Sequence, residues 1–296
     1  MKIQAFAIMT LLAFTSCSIG NNKEKEIKSI DMDTLNLTQE WDKTFPQSEK
    51  VEHTKIIFHN RYGITLAADL YKPKNAQGTL PGIAVSGPYG AVKEQVSGRY
   101  AQTLAERGFL TIAFDPSFYG ESGGTPRYLT SPEISTDDFS AAVDYLTTRE
   151  DVDSERIGIL GICGGGGYTL KAAQSDKRLK AVATLSMFNS GKVRRDGFMG
   201  SQLSTIQDRL KQATDARAQE VAGGEVLYTG ESNLTDEQIA KLPFDLYREG
   251  FIYYGKTHAH PNSTFRYTVS SLLDLMTWDA TSNMDLINQP LLMLAG

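Results

Sequence analysis

The sequence predicts an α/β fold: a mostly parallel sheet covered by helices on both faces, with a helical cap inserted late in the chain. Three observations carry this reading. Short apolar runs alternate with amphipathic stretches over about residues 80–185. A glycine-rich turn at 161–167 joins one apolar run directly to a helical pattern. A polar, helix-patterned block at about 189–265 then breaks the rhythm.

In chain order, residues 53–58 and 64–71 read as two strands, with Asn60-Arg61-Tyr62-Gly63 supplying the turn of an antiparallel hairpin. Pro81 introduces the short buried strand Gly82–Ser86. A helix follows over about Gln95–Arg107, with Tyr100, Ala101 and Leu104 on one face and Gly108 as its stop. Phe109–Phe114 is the next buried strand. Thr136–Thr148 reads as a helix with Phe139, Val143 and Leu146 turned inward and Asp137 and Asp138 near its positive end. Ile157–Leu160 is a strand, Gly166–Gln174 a helix and Leu179–Leu185 a strand. Within the cap block, Leu203–Ala222 and Thr235–Gly250 are helical. Thr268–Thr277 resumes a helix, and Pro290–Gly296 has a buried-strand pattern. In such sheets ligands bind beyond the C-terminal ends of the strands.

The N-terminus has another character. Lys2 precedes a mostly apolar stretch from Ile3 to Phe14, too short to span a bilayer as a helix. Phe14-Thr15-Ser16-Cys17 resembles the lipobox of bacterial lipoproteins. The expectation is a signal peptide at 1–16, lipidation at Cys17, a polar tether at 17–50, and a chain exported to the cell envelope and anchored to a lipid bilayer. The alternatives are a plain secretory signal or a short buried helix. Trp41 and Phe45 are the tether residues suited to docking on the domain. Lipidation of Cys17 leaves Cys163 as the one free thiol, without an internal disulfide. A net charge of −5 without a long basic run argues against nucleic acid as a partner.

The chemistry centres on Gly161-Ile162-Cys163-Gly164-Gly165. A strand runs into Cys163 and a helix leaves it, as in the nucleophile elbow, with Cys in place of Ser. Gly161 and Gly165 allow the sharp turn, and the helix N-terminus favours thiolate at Cys163. The N–H of Gly164 is then one oxyanion donor. Gly87-Pro88-Tyr89-Gly90 supplies the other, and Pro88 has no N–H, which leaves Tyr89. A literal G-x-S-x-G at Gly120-Glu121-Ser122-Gly123-Gly124 lacks both the strand and the helix, and reads as a surface loop at the rim of the site. Glu94 reads as a surface partner of Lys93 or Arg99, with a position facing the site as the alternative. No G-x-G-x-x-G lies over residues 158–170, and no Walker A lysine follows the glycines.

These motifs, with Phe114-Asp-Pro-Ser-Phe-Tyr-Gly-Glu-Ser-Gly-Gly124, resemble the α/β-hydrolase superfamily and its dienelactone-hydrolase-like branch, over residues 51–296. The resemblance implies an α/β-hydrolase fold and hydrolysis of a small-molecule ester or lactone, without metal or organic cofactor. It assigns Cys163 as nucleophile and Tyr89 and Gly164 as the oxyanion hole. Family members carry the acid after the strand that is here Pro290–Gly296, and the histidine after one further strand.

This chain has only His53, His59, His258 and His260. The first two belong to the hairpin. His258 and His260 could form a metal pair or a substitute base, but two ligands make no closed metal site. Asp196 and Asp115 are the internal candidates for the acid. The expectation is therefore a truncated record, its last strand and helix missing, and a 1–296 segment without activity. The alternative is a non-catalytic, lipid-anchored binding module.

Overall fold

The computed structural model describes residues 35–230 and 234–295. The signal peptide at 1–16, Cys17 and the tether as far as residue 34 lie outside the described residues, as does Gly296.

Seven strands form one sheet, built of β1 (Val51–His59), β2 (Thr65–Pro73), β3 (Leu80–Ser86), β4 (Leu110–Phe114), β5 (Val152–Ile162), β6 (Leu179–Leu185) and β9 (Leu291–Leu294), in the order β1-β2-β4-β3-β5-β6-β9. β1, β2 and β4 pair antiparallel; from β4 onward every pairing is parallel. The hairpin thus lies at one edge, and β3 and β5, which feed the two site loops, are central neighbours. Two-residue strands β7 (Tyr228–Thr229) and β8 (Tyr267–Thr268) pair within the cap.

Each sheet face has its own helices. α2 (Pro132–Thr147) and α3 (Gly164–Ser175) cover one face, burying Phe139, Leu146 and Ala172 against Phe58, Leu66, Phe114 and Ile159. α1 (Val96–Ala105) covers the other, where Ala101 and Ala105 meet Tyr71, Val85 and Ala113. Phe45 joins that second cluster, Trp41 packs against it, and the Trp41 indole N–H donates to Phe45 O at 2.9 Å. Residues 41–45 of the polar segment therefore pack on the domain. Burying an aromatic side chain contributes about 1.5–3 kcal/mol, enough to hold a short segment.

Several boundaries differ from those expected. α2 begins at Pro132, one turn earlier than Thr136, because proline with its fixed φ suits the first helical position and Ser131 precedes it in extended conformation. α3 starts at Gly164, immediately after Cys163, as the elbow requires. In the cap, α4 (Ser190–Asp196) precedes α5 (Ile206–Val221). The single helix expected over Thr235–Gly250 is two, α6 (Asp236–Ala240) and α7 (Asp245–Ile252), parted at Pro243, which cannot supply a helical N–H. α6 opens with a reciprocal Thr235–Gln238 capping box. The helix expected over Thr268–Thr277 shrinks to a 3₁₀ turn at Val269–Ser271 and the four-residue α8 (Leu272–Leu275).

Candidate active site

Cys163 sits where β5 ends and α3 begins, with φ 53° and ψ −116°. A side chain at this φ is strained, and such strain is characteristic of nucleophile elbows. Surrounding backbone bonds hold the turn: Cys163 N–H donates to Leu185 O (2.9 Å), and Cys163 O accepts from Gly166 N–H (3.0 Å) and Phe188 N–H (2.8 Å). Gly161 and Gly165 are needed for closeness. A Cβ on Gly165 would lie 2.7 Å from Gly87 O and 2.8 Å from Ser86 O, and one on Gly161 would lie 2.4 Å from Gly165 O.

The backbone N–H groups of Gly164 and Tyr89 both lie toward the Cys163 sulfur and favour its thiolate. A thiol and two backbone N–H groups therefore share one point, at the C-terminal end of the central strands. Tyr89 approaches because Gly164 lacks a side chain: a Cβ there would lie 3.1 Å from Tyr89 N. The net effect on the thiol departs from the expected thiolate. Burial, the largest influence, pushes the Cys163 thiol up, and the two N–H groups and Arg194 only partly offset it.

Arg194 is the residue the sequence did not single out. Its guanidinium carbon lies 4.6 Å from the ring centroids of both Tyr89 and Tyr267, a doubled cation–π contact. In sequence Arg194 sits in the run Lys192-Val193-Arg194-Arg195 and looks like solvated surface charge. Only the return of the cap from α4 to β8 encloses it.

Glu94 does not lie on the surface. It is fully buried in an ionic network beneath the Tyr89 loop, on the α1 side of the sheet. Lys93 Nζ contacts Glu94 (2.5 Å), Glu121 (2.7 Å) and Asp115 (2.9 Å). Lys55 contacts Glu121 (2.8 Å) and Glu94 (3.3 Å), and Lys43 contacts Asp69 (3.0 Å) and Asp42 (2.9 Å). Three lysines thus face five carboxylates. Burial, then Asp115, raises Glu94 to about 7, which relieves the excess of negative charge. Glu121, against the pull of its burial, is held at about 2 by Lys93 and Lys55.

Ser122 is likewise no surface loop residue. It is 2% exposed, donates to Asp115 O (2.7 Å) and accepts from Ala67 N–H (2.9 Å). It ties the 115–123 loop to β2 because the unpaired backbone there needs partners. Asp115 belongs to the lysine network, and Asp196 pairs with Arg195 at 2.9 Å. Neither reaches Cys163 as an acid.

None of the four histidines hydrogen-bonds Cys163 among the described residues. His53 Nε2 bonds Asp69 at 2.8 Å, and His59 ends β1. His258 stacks on Tyr253 at 4.1 Å with its Nδ1 2.9 Å from Thr257 Oγ1. His260 Nε2 lies 3.8 Å from Asp42, and burial lowers its pKa. No group of three or more potential metal ligands occurs among the described residues.

Comparison with known proteins fits this architecture. The X-Pro dipeptidyl-peptidase (S15 family) profile matches residues 62–266. The chain belongs to this family. The S15-family match spans the hairpin turn, both site loops and most of the cap. PA2218 of Pseudomonas aeruginosa is 60% identical over 178 residues, which are 60% of this chain and 47% of that protein, so the chain spans about half the length of that relative. The crystal structure of PA2218 superposes with a TM-score of 0.81 at 45% identity, covering 88% of this chain and 82% of that one. YcjY of Escherichia coli K12 is 38% identical over 82% of this chain and 81% of its own length. The α/β hydrolase GrgF from Penicillium sp. sh18, at 21% identity and a TM-score of 0.70 over 82% of this chain and 80% of its own, shows the fold. This S15-family chain therefore has the α/β-hydrolase fold.

Proposed function

We propose that this chain is an ester or lactone hydrolase acting through Cys163. The observation that carries the reading is the convergence of the Gly164 and Tyr89 N–H groups on the thiol of a residue held at φ 53° between strand and helix. The thiolate attacks the carbonyl carbon, forming a C–S bond. The carbonyl oxygen takes up the electron pair and replaces sulfur as acceptor of the two N–H groups. Collapse breaks the bond to the alkoxide, which takes a proton from solvent, where the thiol released its own, and water then releases the acid from the thioester and restores the thiol. Relatives named for acyl chemistry support the reading. The thiohydrolase aneE of Aspergillus aculeatus is 31% identical over 47% of this chain, and the acyltransferase drtE of Aspergillus calidoustus is 27% identical over 64%.

The reading includes a cost. No base contacts Cys163 among the described residues, and its burial pushes the thiol up. Losing the partners of such a nucleophile typically costs about 10⁴-fold or more in turnover. We therefore expect residues 1–296 to acylate slowly and turn over little. With p-nitrophenyl acetate, peptide mapping should find one acetyl group on Cys163 and none in Cys163→Ala. Acetylation elsewhere with Cys163 unmodified would overturn the assignment and leave the non-catalytic binding module as the reading. We also propose export and anchoring through Cys17. Labelled palmitate should enter the protein in a bacterial host and be lost in Cys17→Ala; equal incorporation would exclude it.

A further inference from the structure

We propose that Arg194 is an anion-binding residue of the substrate pocket, and that the substrate carries a carboxylate beside its reacting carbonyl. The inference deepens the reading of Cys163 as nucleophile and rests on it only for the word substrate. A cavity of about 200 Å³ lies between α4, α5 and the β7–β8 pair, and Arg194 lines it with Arg209, Gln202, Gln212, Tyr247 and Tyr267. That volume exceeds the roughly 150 Å³ that holds a benzene ring, so a short-chain acid fits.

The two arginines of the cavity are not equivalent. Arg209 is used up on the backbone: it donates to Arg194 O, to Arg195 O (2.6 Å) and Gln202 O (3.1 Å), and to Thr205 Oγ1 (3.1 Å). Arg194 is held only by ring faces. Its guanidinium has neither a hydrogen bond nor a carboxylate within ion-pair distance among the described residues, and no Asp or Glu lines the cavity. A cation set against two tyrosine rings at right angles to each other, yet unpaired, is costly unless something pairs with it. Guanidinium offers a planar fork of donors that fits a carboxylate with two parallel bonds.

The cation also belongs to the reaction centre. Arg194 is among the charges that stabilise the Cys163 thiolate. Tyr89 links the two directly: its N–H meets the sulfur and its ring lies against the guanidinium. The ring is fixed in turn by Tyr89 Oη to Tyr119 Oη (2.9 Å) and Thr130 Oγ1 (3.2 Å). Tyr89 thus touches both the cation and the thiol, and the proposed substrate reaches from one to the other past its ring. The walls between are mixed, with Val193, Val269 and Leu272 beside the polar groups. A small acid with a few methylenes suits them better than a bulky or polycationic ligand.

The test uses alkylation of Cys163, which does not depend on turnover. Rates with iodoacetate and with iodoacetamide are measured on the whole 296-residue chain by mass spectrometry, with N-acetylcysteine alongside. One charge pair in a partly shielded setting is expected to favour the anionic reagent roughly tenfold relative to the free thiol. In Arg194→Met the ratio should fall to that of N-acetylcysteine, and in Arg194→Lys it should lie between. Circular dichroism checks that the variants fold. If Arg194→Met does not, the wild-type protein still decides: succinate should protect Cys163 from iodoacetamide, and neutral succinamide should not. Equal protection by the two, a free-thiol ratio in the wild type, or a ratio that survives in folded Arg194→Met would each overturn the proposal. Failed acetylation by p-nitrophenyl acetate with the anion preference intact would sink the hydrolase reading and leave the anion site standing.

Discussion

At Cys163 two demands oppose each other. The backbone is held at φ 53°, where a β-carbon is strained, and the thiol is half-buried, which pushes it up. The first predicts an unusual order of stabilities. Cys163→Gly should be more stable than Cys163→Ala by about 1 kcal/mol, since glycine adopts positive φ without strain. Urea unfolding of the two variants measures this, and equal midpoints would argue against a strained elbow. The second demand predicts a pH profile. Desolvation disfavours the thiolate, so the iodoacetamide rate of Cys163 should rise with pH along a curve displaced above that of a free cysteine, near 8.5. A midpoint below the free value would show that Arg194 and the two N–H groups outweigh burial. Lys93 sits at another such balance, fully buried against three carboxylates. Lys93→Met should cost about 3–5 kcal/mol, because the carboxylates lose their counter-charge inside the protein; a loss under 1 kcal/mol in denaturant unfolding would mean that the network simply takes up protons.

At the level of elements, the approach of α3 to the loop after β3 controls the site. Both are drawn together by Gly165, whose N–H donates to Gly87 O at 3.1 Å. Gly165→Ala puts a methyl group against two backbone carbonyls that cannot rotate away. Overpacking of this kind costs typically 1–3 kcal/mol, and here it also parts the two N–H groups beside the Cys163 sulfur. Thermal unfolding and Cys163 alkylation should both change; a variant with unaltered alkylation would show that the donors do not depend on this contact. The elbow was legible in the sequence because strand, Cys163 and helix are contiguous and the glycines are local necessities. The sheet was legible because buried parallel strands are short apolar runs. Arg194 and the Lys93 network were not, since each gains its meaning from partners far away in the chain. Glu94 and Ser122 looked exposed because polar residues usually are, and only the lysines for Glu94, and the backbone partners for Ser122, reverse that rule. The cap helices were misjudged in length where Pro243 and the β7–β8 pairing interrupt a pattern that polarity alone makes look continuous.

Across the whole molecule, the sheet is unevenly covered. Leu291 packs with the core on the α3 side, so alternation turns Leu292 and Leu294 to the α1 side. There they are 55% and 51% exposed, and Met293 on the opposite face is 49% exposed, on a strand at the sheet edge. A parallel edge with bare leucines is a surface on which chains associate. The 1–296 protein should therefore show concentration-dependent association in sedimentation velocity, reduced by Leu292→Lys together with Leu294→Lys; a strictly monomeric protein up to high concentration would refute this.

The cap is joined to the sheet at one small place with large effect. Gly90 O, one residue beyond Tyr89, accepts from both Thr264 N–H (2.9 Å) and Ser263 Oγ (3.0 Å), and Gln95 Nε2 donates to His258 O at 2.7 Å. The returning end of the cap is thereby stitched to the loop whose Tyr89 N–H lies toward Cys163, the proposed oxyanion donor. A cap transplanted from a relative would bring its own stitches and would reset the donor along with the pocket. Grafts that exchange residues 258–268 together with 87–95 should keep the hole intact, while grafts of the cap alone should spoil it. Selectivity and reactivity are thus inherited here as one heritable block.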